Sequence, residues 1–226
     1  MSVRQVTYSE INASRVELIR QLPPGAQLAL SNVAWEDYLE ITGMFPNEPY
    51  FSISYNEGRL EAMTASTQHE RYAFFIDHLV MVLALRLRLN ILSFGRATMK
   101  KSALKKGLEP DSCFYVQRAA QLGNRIVLDF EQDPAPDIAV EVDIFNESKS
   151  KFPIYAALDV PEIWVYESGT ITIYLLGNGK YESATASRAL PILTSALLTS
   201  YVERMIEDGE LAALTAFEEW LKTQTP

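Results

Sequence analysis

The segment PDIAVEVDI, at residues 136–144, alternates apolar and mostly acidic side chains, and this alternation is the strongest constraint on the fold. Successive side chains of a β-strand point to opposite faces. One face of the predicted strand is therefore wholly apolar, and the other carries Asp137, Glu141 and Asp143 together with Ala139. We expect the strand to cover a hydrophobic core with one face and to gather carboxylates on the other.

These three carboxylates need an explanation, because like charges repel and buried charges are costly to desolvate. Two interpretations remain open from the residues alone: the acidic face is exposed at the edge of a sheet, or the acids share a cation. Mg²⁺ and Mn²⁺ are hard ions that prefer carboxylate oxygens. A further acid, Asp111, follows Pro110 and opens another predicted strand, although an aspartate in such a position is commonly a turn residue.

The order of the predicted elements favours a mixed α/β (α+β) domain. It comprises an early hairpin, a long helix, a strand–helix–strand crossover, a second hairpin and two terminal helices. The elements are predicted at residues 50–55 and 59–63 (hairpin), 68–89 (helix), 111–116 and 126–130 (strands), 138–144, 151–158 and 163–167 (crossover), 170–176 (second hairpin), and 192–205 and 210–223 (terminal helices).

The composition is that of an ordinary globular protein, with 48% hydrophobic and 22% charged residues in a chain of 226. The most apolar stretch, residues 79–92, is short and is interrupted by Arg86 and Arg88, so we expect no membrane span. Residues 1–20 lack the apolar region of a secretory signal. A single cysteine, Cys113, excludes an internal disulfide and fits a reducing environment, so we expect a cytoplasmic protein.

The net charge of −9 weakens the attraction of the whole chain for a polyanion. A basic cluster between residues 96 and 106 opposes this trend, in a stretch predicted to form a loop at residues 100–110. The cluster has two open interpretations, a contact surface for nucleic acid or a solvated basic loop. Its members are Arg96, Lys100, Lys101, Lys105 and Lys106.

Other residues capable of chemistry are expected to be structural. Two histidines and one cysteine provide no zinc ligand set. We expect His69 to have a structural role and His78 to lie in the core of the long helix. The aromatic residues Tyr155, Trp164 and Tyr166 are expected in the core rather than at a base-stacking surface.

Several short motifs, in their order and spacing, resemble the PD-(D/E)XK nuclease superfamily and in particular its Uma-type branch of bacterial proteins. The resemblance covers about residues 35–205 and implies a restriction-endonuclease-like core with a mixed central β-sheet flanked by helices. Residues 1–34 would then form an N-terminal helical extension and residues 206–226 an extra C-terminal helix. The motifs are Glu57-Gly58-Arg59-Leu60-Glu61-Ala62-Met63, His69-Glu70, Glu109-Pro110-Asp111, Pro136-Asp137-Ile138-Ala139-Val140-Glu141-Val142, Lys151 with Tyr155, and Asp159-Val160-Pro161-Glu162-Ile163-Trp164.

The resemblance implies a metal site. Asp111 and Glu141 would bind Mg²⁺ or Mn²⁺, with the main-chain carbonyl of Val142 completing the ligand set. A metal ion in such a site activates water and stabilises the charge that develops on a phosphodiester during hydrolysis.

The resemblance also implies catalytic residues, with one departure from the superfamily. The superfamily places a lysine two residues after the glutamate, and this chain has Asp143 there. The matching lysine of the Uma-type branch lies on the next helix, at Lys151, whose alternative role is that of a solvent-exposed side chain. Glu70 is a further candidate acid, and its alternative role is a helix-capping box with Thr67.

Three functional hypotheses follow. The leading one is a Mg²⁺- or Mn²⁺-dependent endonuclease acting on nucleic acid, with DNA the expected substrate. The second is a catalytically inactive nucleic-acid-binding or regulatory module of the same fold, which the missing lysine and the acidic net charge favour. The third, compatible with either, is a homodimer joined by the terminal helices, whose apolar stripes would otherwise pack on the sheet. The stripes consist of Leu193, Leu197, Leu198 and Tyr201, and of Leu211, Leu214, Phe217 and Leu221.

Overall fold

The structure is a computed structural model that describes residues 8–45, 51–144 and 147–224, with side chains described from residue 11 onward. Within these ranges the chain forms a five-stranded and a six-stranded β-sheet, with α-helices packed against them. The predicted fold class, a mixed α/β domain with sheets flanked by helices, is confirmed.

The six-stranded sheet contains the acidic strand in an interior position. Its strands are, in spatial order, β11 (Lys180–Ala184), β10 (Thr170–Gly177), β9 (Glu162–Glu167), β8 (Ile138–Asp143), β7 (Ser112–Tyr115) and β4 (Leu92–Ser93). Strands β8 and β9 are parallel, as a crossover through a helix requires, and their other neighbours are antiparallel. Because β8 lies between β7 and β9, the interpretation of its acidic face as an exposed edge is wrong.

The five-stranded sheet is antiparallel throughout. Its strands are, in spatial order, β1 (Gln27–Leu30), β3 (Arg59–Thr64), β2 (Phe51–Asn56), β6 (Lys106–Leu108) and β5 (Met99–Lys101). The predicted loop at residues 100–110 is therefore wrong, because β6 pairs with β2 and β5 and so forms part of the sheet. Strand β1 lies in the stretch assigned to the N-terminal extension and pairs with β3. The proposed domain division stays a prediction.

The helices cover both faces of the six-stranded sheet, and the first two along the described chain pack against the five-stranded sheet. Their bounds are α1 (Tyr8–Arg20), α2 (Trp35–Gly43), α3 (Thr67–Leu87), α4 (Ala119–Leu122), α5 (Phe152–Ala157), α6 (Ser195–Asp208) and α7 (Glu210–Gln224). The main core joins α3, α6 and α7 to the apolar face of β8, formed by Ile138, Val140 and Val142. Helix α5 packs on the opposite face, where Ala139 lies. None of the described helices combines the length and hydropathy that a membrane crossing needs.

The terminal stripes lie largely in the core, and two other predictions are wrong. Leu198, Phe217 and Leu221 are buried in the main core, where α6 packs on the sheet and α7 packs on α3 and α6. The homodimer stays a prediction. Residues 126–130 form no strand. His78 is about half exposed and contacts Glu210, so its predicted place in the core is wrong.

Candidate active site

Asp111 is held beside strand β8 by main-chain hydrogen bonds. Its N–H donates to the carbonyl of Val140 at 2.9 Å, and its Oδ2 accepts the N–H of Val142 at 2.7 Å. The aspartate is 5% exposed, and Glu141, between these two valines, is fully buried. The start of β7 and the middle of β8 therefore bring the two predicted acids into one buried region.

Glu141 is surrounded by donors from the segment that follows β8. Its Oε2 accepts from Lys151 Nζ at 2.7 Å and from Ser148 Oγ at 3.2 Å. Its Oε1 accepts from the hydroxyl of Tyr155 on α5. The buried position of Lys151, 7% exposed, is inconsistent with its alternative role as a solvent-exposed lysine.

Asp143 holds the turn that carries Lys151. Its carboxylate accepts from the main-chain N–H of Ser148 at 2.9 Å and shares the hydroxyl proton of the same serine with Glu141. This contact anchors the 3₁₀ turn Ser148–Lys151, which continues into α5 with Pro153 in its first turn. The aspartate at the usual lysine position of the superfamily thus fixes the segment from which Lys151 reaches Glu141.

Helix α3 presents His69 to Asp111. Ser66 caps the helix by accepting the N–H of His69 at 3.2 Å, so the predicted capping box of Thr67 and Glu70 is wrong. The Nε2 atom of His69 lies 2.9 Å from Asp111 Oδ2, and its Nδ1 atom lies 3.5 Å from Glu70 Oε1. Glu70 also accepts from Arg96 at 2.9 Å. Glu70 is therefore connected to Asp111 indirectly, because His69 lies between the two carboxylates.

The electrostatics of the site separate the two acids. Burial acts to raise the pKa of Asp111, but contact with His69 and the charge of Lys151 outweigh it and lower that pKa. Burial raises the pKa of Glu141 to about 7, with Lys151 opposing and the charge of Asp111 adding to the shift. Burial lowers the pKa of His69, but Asp111 and Glu70 overcome it and raise it to about 9. Asp111 is thus a carboxylate and His69 a cation at neutral pH.

The oxygen donors of the site suit a divalent cation of the Mg²⁺ type, but few protein side chains are available as ligands. Asp111 Oδ1 is buried and has no hydrogen-bond partner, which is unusual for a carboxylate oxygen and leaves it open to a cation. The N–H and C=O of one strand residue point to the same side, so the carbonyl of Val142 is on the side facing Asp111. Among the described residues, no group of three or more His, Cys, Asp or Glu side chains is arranged to hold a metal ion. The possible ligand set is therefore two carboxylates and a carbonyl.

A narrow cavity of about 20 Å³ opens beside Lys151, which is room for about one water molecule. One wall comes from Asp143 at the end of β8 and Ser148 in the turn that follows, and the other comes from the five-stranded sheet. The sheet contributes mainly polar side chains, namely Gln27, Ser52, Ser54, Glu61 and Met63. The cavity joins the two sheets at the site and provides a polar path to Lys151.

Of the residues predicted for the site, the structure brings Asp111, Glu141 and Lys151 together and places Glu70 one residue further out. Asp137 belongs elsewhere, because its carboxylate accepts from the main-chain N–H groups of Val116 and Arg118. Sequence reasoning missed three contributors, His69, Ser148 and Tyr155. The resemblance motifs contained His69 and Tyr155, which was the available signal, whereas Ser148 was assigned no contact with the acids.

Most of the chain matches a known protein family. Residues 35–204 match the family described as "Uma2: Putative restriction endonuclease". The chain belongs to the Uma2 family. The predicted resemblance to restriction-endonuclease-like proteins is thereby confirmed. The two buried acids, Asp111 just before β7 and Glu141 on β8, lie within the matched part of this Uma2 chain.

One solved structure is similar to the chain at low sequence identity. The chain is similar to the crystal structure of "a putative nuclease belonging to DUF820 from Anabaena variabilis". That protein is 14% identical, and the alignment covers 76% of this chain and 98% of the other, with a TM-score of 0.49. No curated protein matches the chain significantly.

Proposed function

We propose that this Uma2 protein is a divalent-metal-dependent endonuclease that hydrolyses phosphodiester bonds of nucleic acid, with DNA as the expected substrate. The observation that carries the proposal is the buried trio of Asp111, Glu141 and Lys151, in a family described as "Putative restriction endonuclease". Buried ionisable groups with shifted pKa values are typical of catalytic sites.

Asp111, Glu141 and the carbonyl of Val142 are the residues proposed to hold Mg²⁺ or Mn²⁺. A bound ion of this kind lowers the pKa of water and neutralises charge on phosphoryl oxygens. The open Oδ1 of Asp111 and the ionised state favoured by His69 prepare the aspartate for this role. Burial makes a bare pair of acids unfavourable, so a cation is a natural partner for them.

The protein's own residues are proposed to share the rest of the work. Burial lowers the pKa of Lys151, but Glu141 and Asp111 more than offset this, so its ammonium stays charged and is proposed to orient water or stabilise phosphate charge. The hydroxyl of Tyr155 orients Glu141. Glu70 is proposed to assist by holding His69 against Asp111.

The hairpin of β5 and β6 is the proposed contact surface for the nucleic-acid backbone. Lys100 and Lys105 are exposed on it, whereas Lys106 is paired with Glu57 at 3.1 Å. The hairpin leads toward Asp111, which follows β6 after two intervening residues. A local basic surface of this kind offsets the net charge of −9.

A second candidate function is a catalytically inactive nucleic-acid-binding or regulatory module. One observation favours it: both oxygens of Glu141 already accept hydrogen bonds, from Lys151, Ser148 and Tyr155. A carboxylate whose charge is already balanced by a buried lysine gains less from a metal ion. Binding of nucleic acid without cleavage would support this alternative.

The test is a cleavage assay with supercoiled plasmid, single-stranded DNA and RNA, each with Mg²⁺, Mn²⁺ or EDTA. We expect metal-dependent cleavage of at least one substrate, and we expect EDTA or Glu141→Ala to abolish it. Glu162→Gln is the matched control, because Glu162 is 1% exposed on the neighbouring strand and binds Trp164 Nε1 and the N–H of Ala189. It should retain cleavage.

Two other outcomes would contradict the endonuclease proposal. Equal cleavage by the parent and by Glu141→Ala would assign the activity to a contaminant. Binding of any of the three nucleic acids without cleavage in either metal would favour the inactive module.

A further inference from the structure

The outer face of helices α3 and α7 exposes apolar side chains that the core does not use. Leu85 is 77% exposed, Leu211 is 80% exposed and Phe74 is 59% exposed. Phe74, Val82 and Leu85 recur at helical spacing on α3, so they share one side of it. Together with Leu211 and Leu214 of α7 they form a surface that we call the α3–α7 face.

The two helices run side by side in the same direction. His78 Nδ1 of α3 lies 2.7 Å from Glu210 Oε1 at the start of α7. About two turns further along each helix, Arg86 of α3 and Glu218 of α7 line the same groove. This groove has a volume of about 560 Å³ and is floored by Val82, Leu85, Leu211 and Leu214. It therefore has an apolar middle and two distinct ends.

The two ends carry opposite charge. Arg86 and Arg88 lie at one end, where Lys222 is 2.5 Å from Glu219 and 3.8 Å from Glu218, so basic side chains are in excess by one. The other end is near the start of α7 at Glu210, and the preceding end of α6 adds Glu207 and Asp208 to the same junction. Arg204 pairs with Asp208 there at 3.2 Å, and His78 contacts Glu210, which leaves acids in excess.

We propose that a second copy of this chain docks on the α3–α7 face about a two-fold axis. A two-fold axis through the middle of the groove places the arginine end of each copy against the acidic end of the other. The same axis stacks the leucines of one copy on those of its partner and removes them from water. Exposed apolar patches with a charged rim mark association surfaces in soluble proteins. The occupant is a copy of the same chain because the face complements itself.

The size of the face sets the strength of the dimer. Two helices about 20 Å long and about 10 Å apart offer roughly half the 800 Å² per partner that a standard interface buries. We therefore expect a dimer that dissociates in the micromolar range, and this association is independent of whether the site cleaves nucleic acid.

The test is sedimentation of the full chain between about 1 and 100 µM, a range that brackets micromolar dissociation. We expect the mass to rise from 25.5 kDa toward twice that value with concentration. Leu85→Lys and Leu211→Glu, made singly, should abolish the rise by placing a charge in the interface. Both substitutions favour their helix dipoles, near the C-terminus of α3 and the N-terminus of α7, so the fold is preserved.

Two controls fix the location and the symmetry. Val127→Lys alters a side chain that is 83% exposed outside the face and should leave the dimer intact. Arg86→Glu should weaken the dimer at least tenfold, and adding Glu207→Arg should restore it. A parent that stays monomeric throughout, which would leave the face to a different partner, overturns the proposal. So does a dimer that survives both leucine substitutions.

Discussion

Lys151 Nζ lies 2.7 Å from Glu141 Oε2, and the side chains of both residues are at least nine-tenths buried. The lysine comes from the turn before α5, so the ion pair spans two successive elements. Removing one partner of a buried ion pair typically costs about 3–5 kcal/mol, because the other charge is left without compensation. Both the stability of the crossover and the candidate active site therefore depend on this ion pair.

Replacing Lys151 should make the thermal stability of the protein depend more strongly on Mn²⁺. In Lys151→Met the charge of Glu141 has lost its buried cation, so Mn²⁺ should raise the melting temperature of this variant more than that of the parent. Lys149→Met is the control, since Lys149 is about half exposed and pairs with Glu167 at 3.6 Å. Thermal unfolding with and without Mn²⁺ measures both. An equal Mn²⁺ shift in the parent and in Lys151→Met would show that the lysine and the metal act at different places.

His69 should make stability depend on pH on the alkaline side. Its pKa rises from 6.5 to about 9 on folding, so its contribution is complete below pH 6.5 and is lost as the pH rises through about 9. The difference in unfolding free energy between the parent and His69→Asn should therefore shrink by about 3 kcal/mol between about pH 6 and pH 10. Urea unfolding in EDTA measures it, with His78→Asn as the control. A difference that stays constant over this range would contradict the assignment.

Removing the hydroxyl of Tyr155 should act on Glu141. The hydrogen bond from this hydroxyl lowers the pKa of Glu141, so Tyr155→Phe should raise that pKa and move the acid limb of the cleavage profile to higher pH. The lost hydrogen bond should also cost about 1–3 kcal/mol of stability. Tyr181→Phe is a control for stability alone, because its hydroxyl donates to the carbonyl of Val160. If the pH profile of cleavage is unchanged in Tyr155→Phe, the proposed effect of Tyr155 on Glu141 is contradicted.

The basic hairpin should govern the salt dependence of binding. Lys100→Ala and Lys105→Ala should each reduce the slope of log affinity against log salt by about one, as expected for a lost phosphate contact. Fluorescence anisotropy in EDTA measures binding without cleavage. Lys180→Ala, on the edge strand β11, should leave the slope unchanged. Unchanged slopes in both hairpin variants would support the interpretation of the cluster as solvated.

The sequence predicted the acidic strand and its two faces because alternation is a local property of the backbone. Ile138, Val140 and Val142 face the main core and Glu141 the opposite side, as the period of two requires. The position of β8 inside the sheet was not predictable in this way. It depends on pairing with β7 and β9, and such long-range pairing is absent from any short window of sequence.

The site was predicted only in part, because the contacts among its residues are also long-range. The resemblance to the Uma-type branch implied that Asp111, Glu141 and Lys151 share a site, but the partners of these residues are set by tertiary packing. His69 reaches Asp111 only because α3 packs beside β8, and its periodicity on that helix is equally compatible with a core residue. Strand β6 is three residues long and was assigned to a loop, because so short a segment has no clear alternation.

The most direct test is the binding of Mn²⁺ to the purified protein, measured by calorimetry, because it requires no knowledge of the substrate. The parent should bind the ion, and Asp111→Asn and Glu141→Gln should each weaken binding at least about tenfold, since each removes a charged ligand. Glu162→Gln, in which an equally buried glutamate is altered, should bind as the parent does. Affinity that is the same in the parent, Asp111→Asn and Glu141→Gln would contradict a metal site at these two acids.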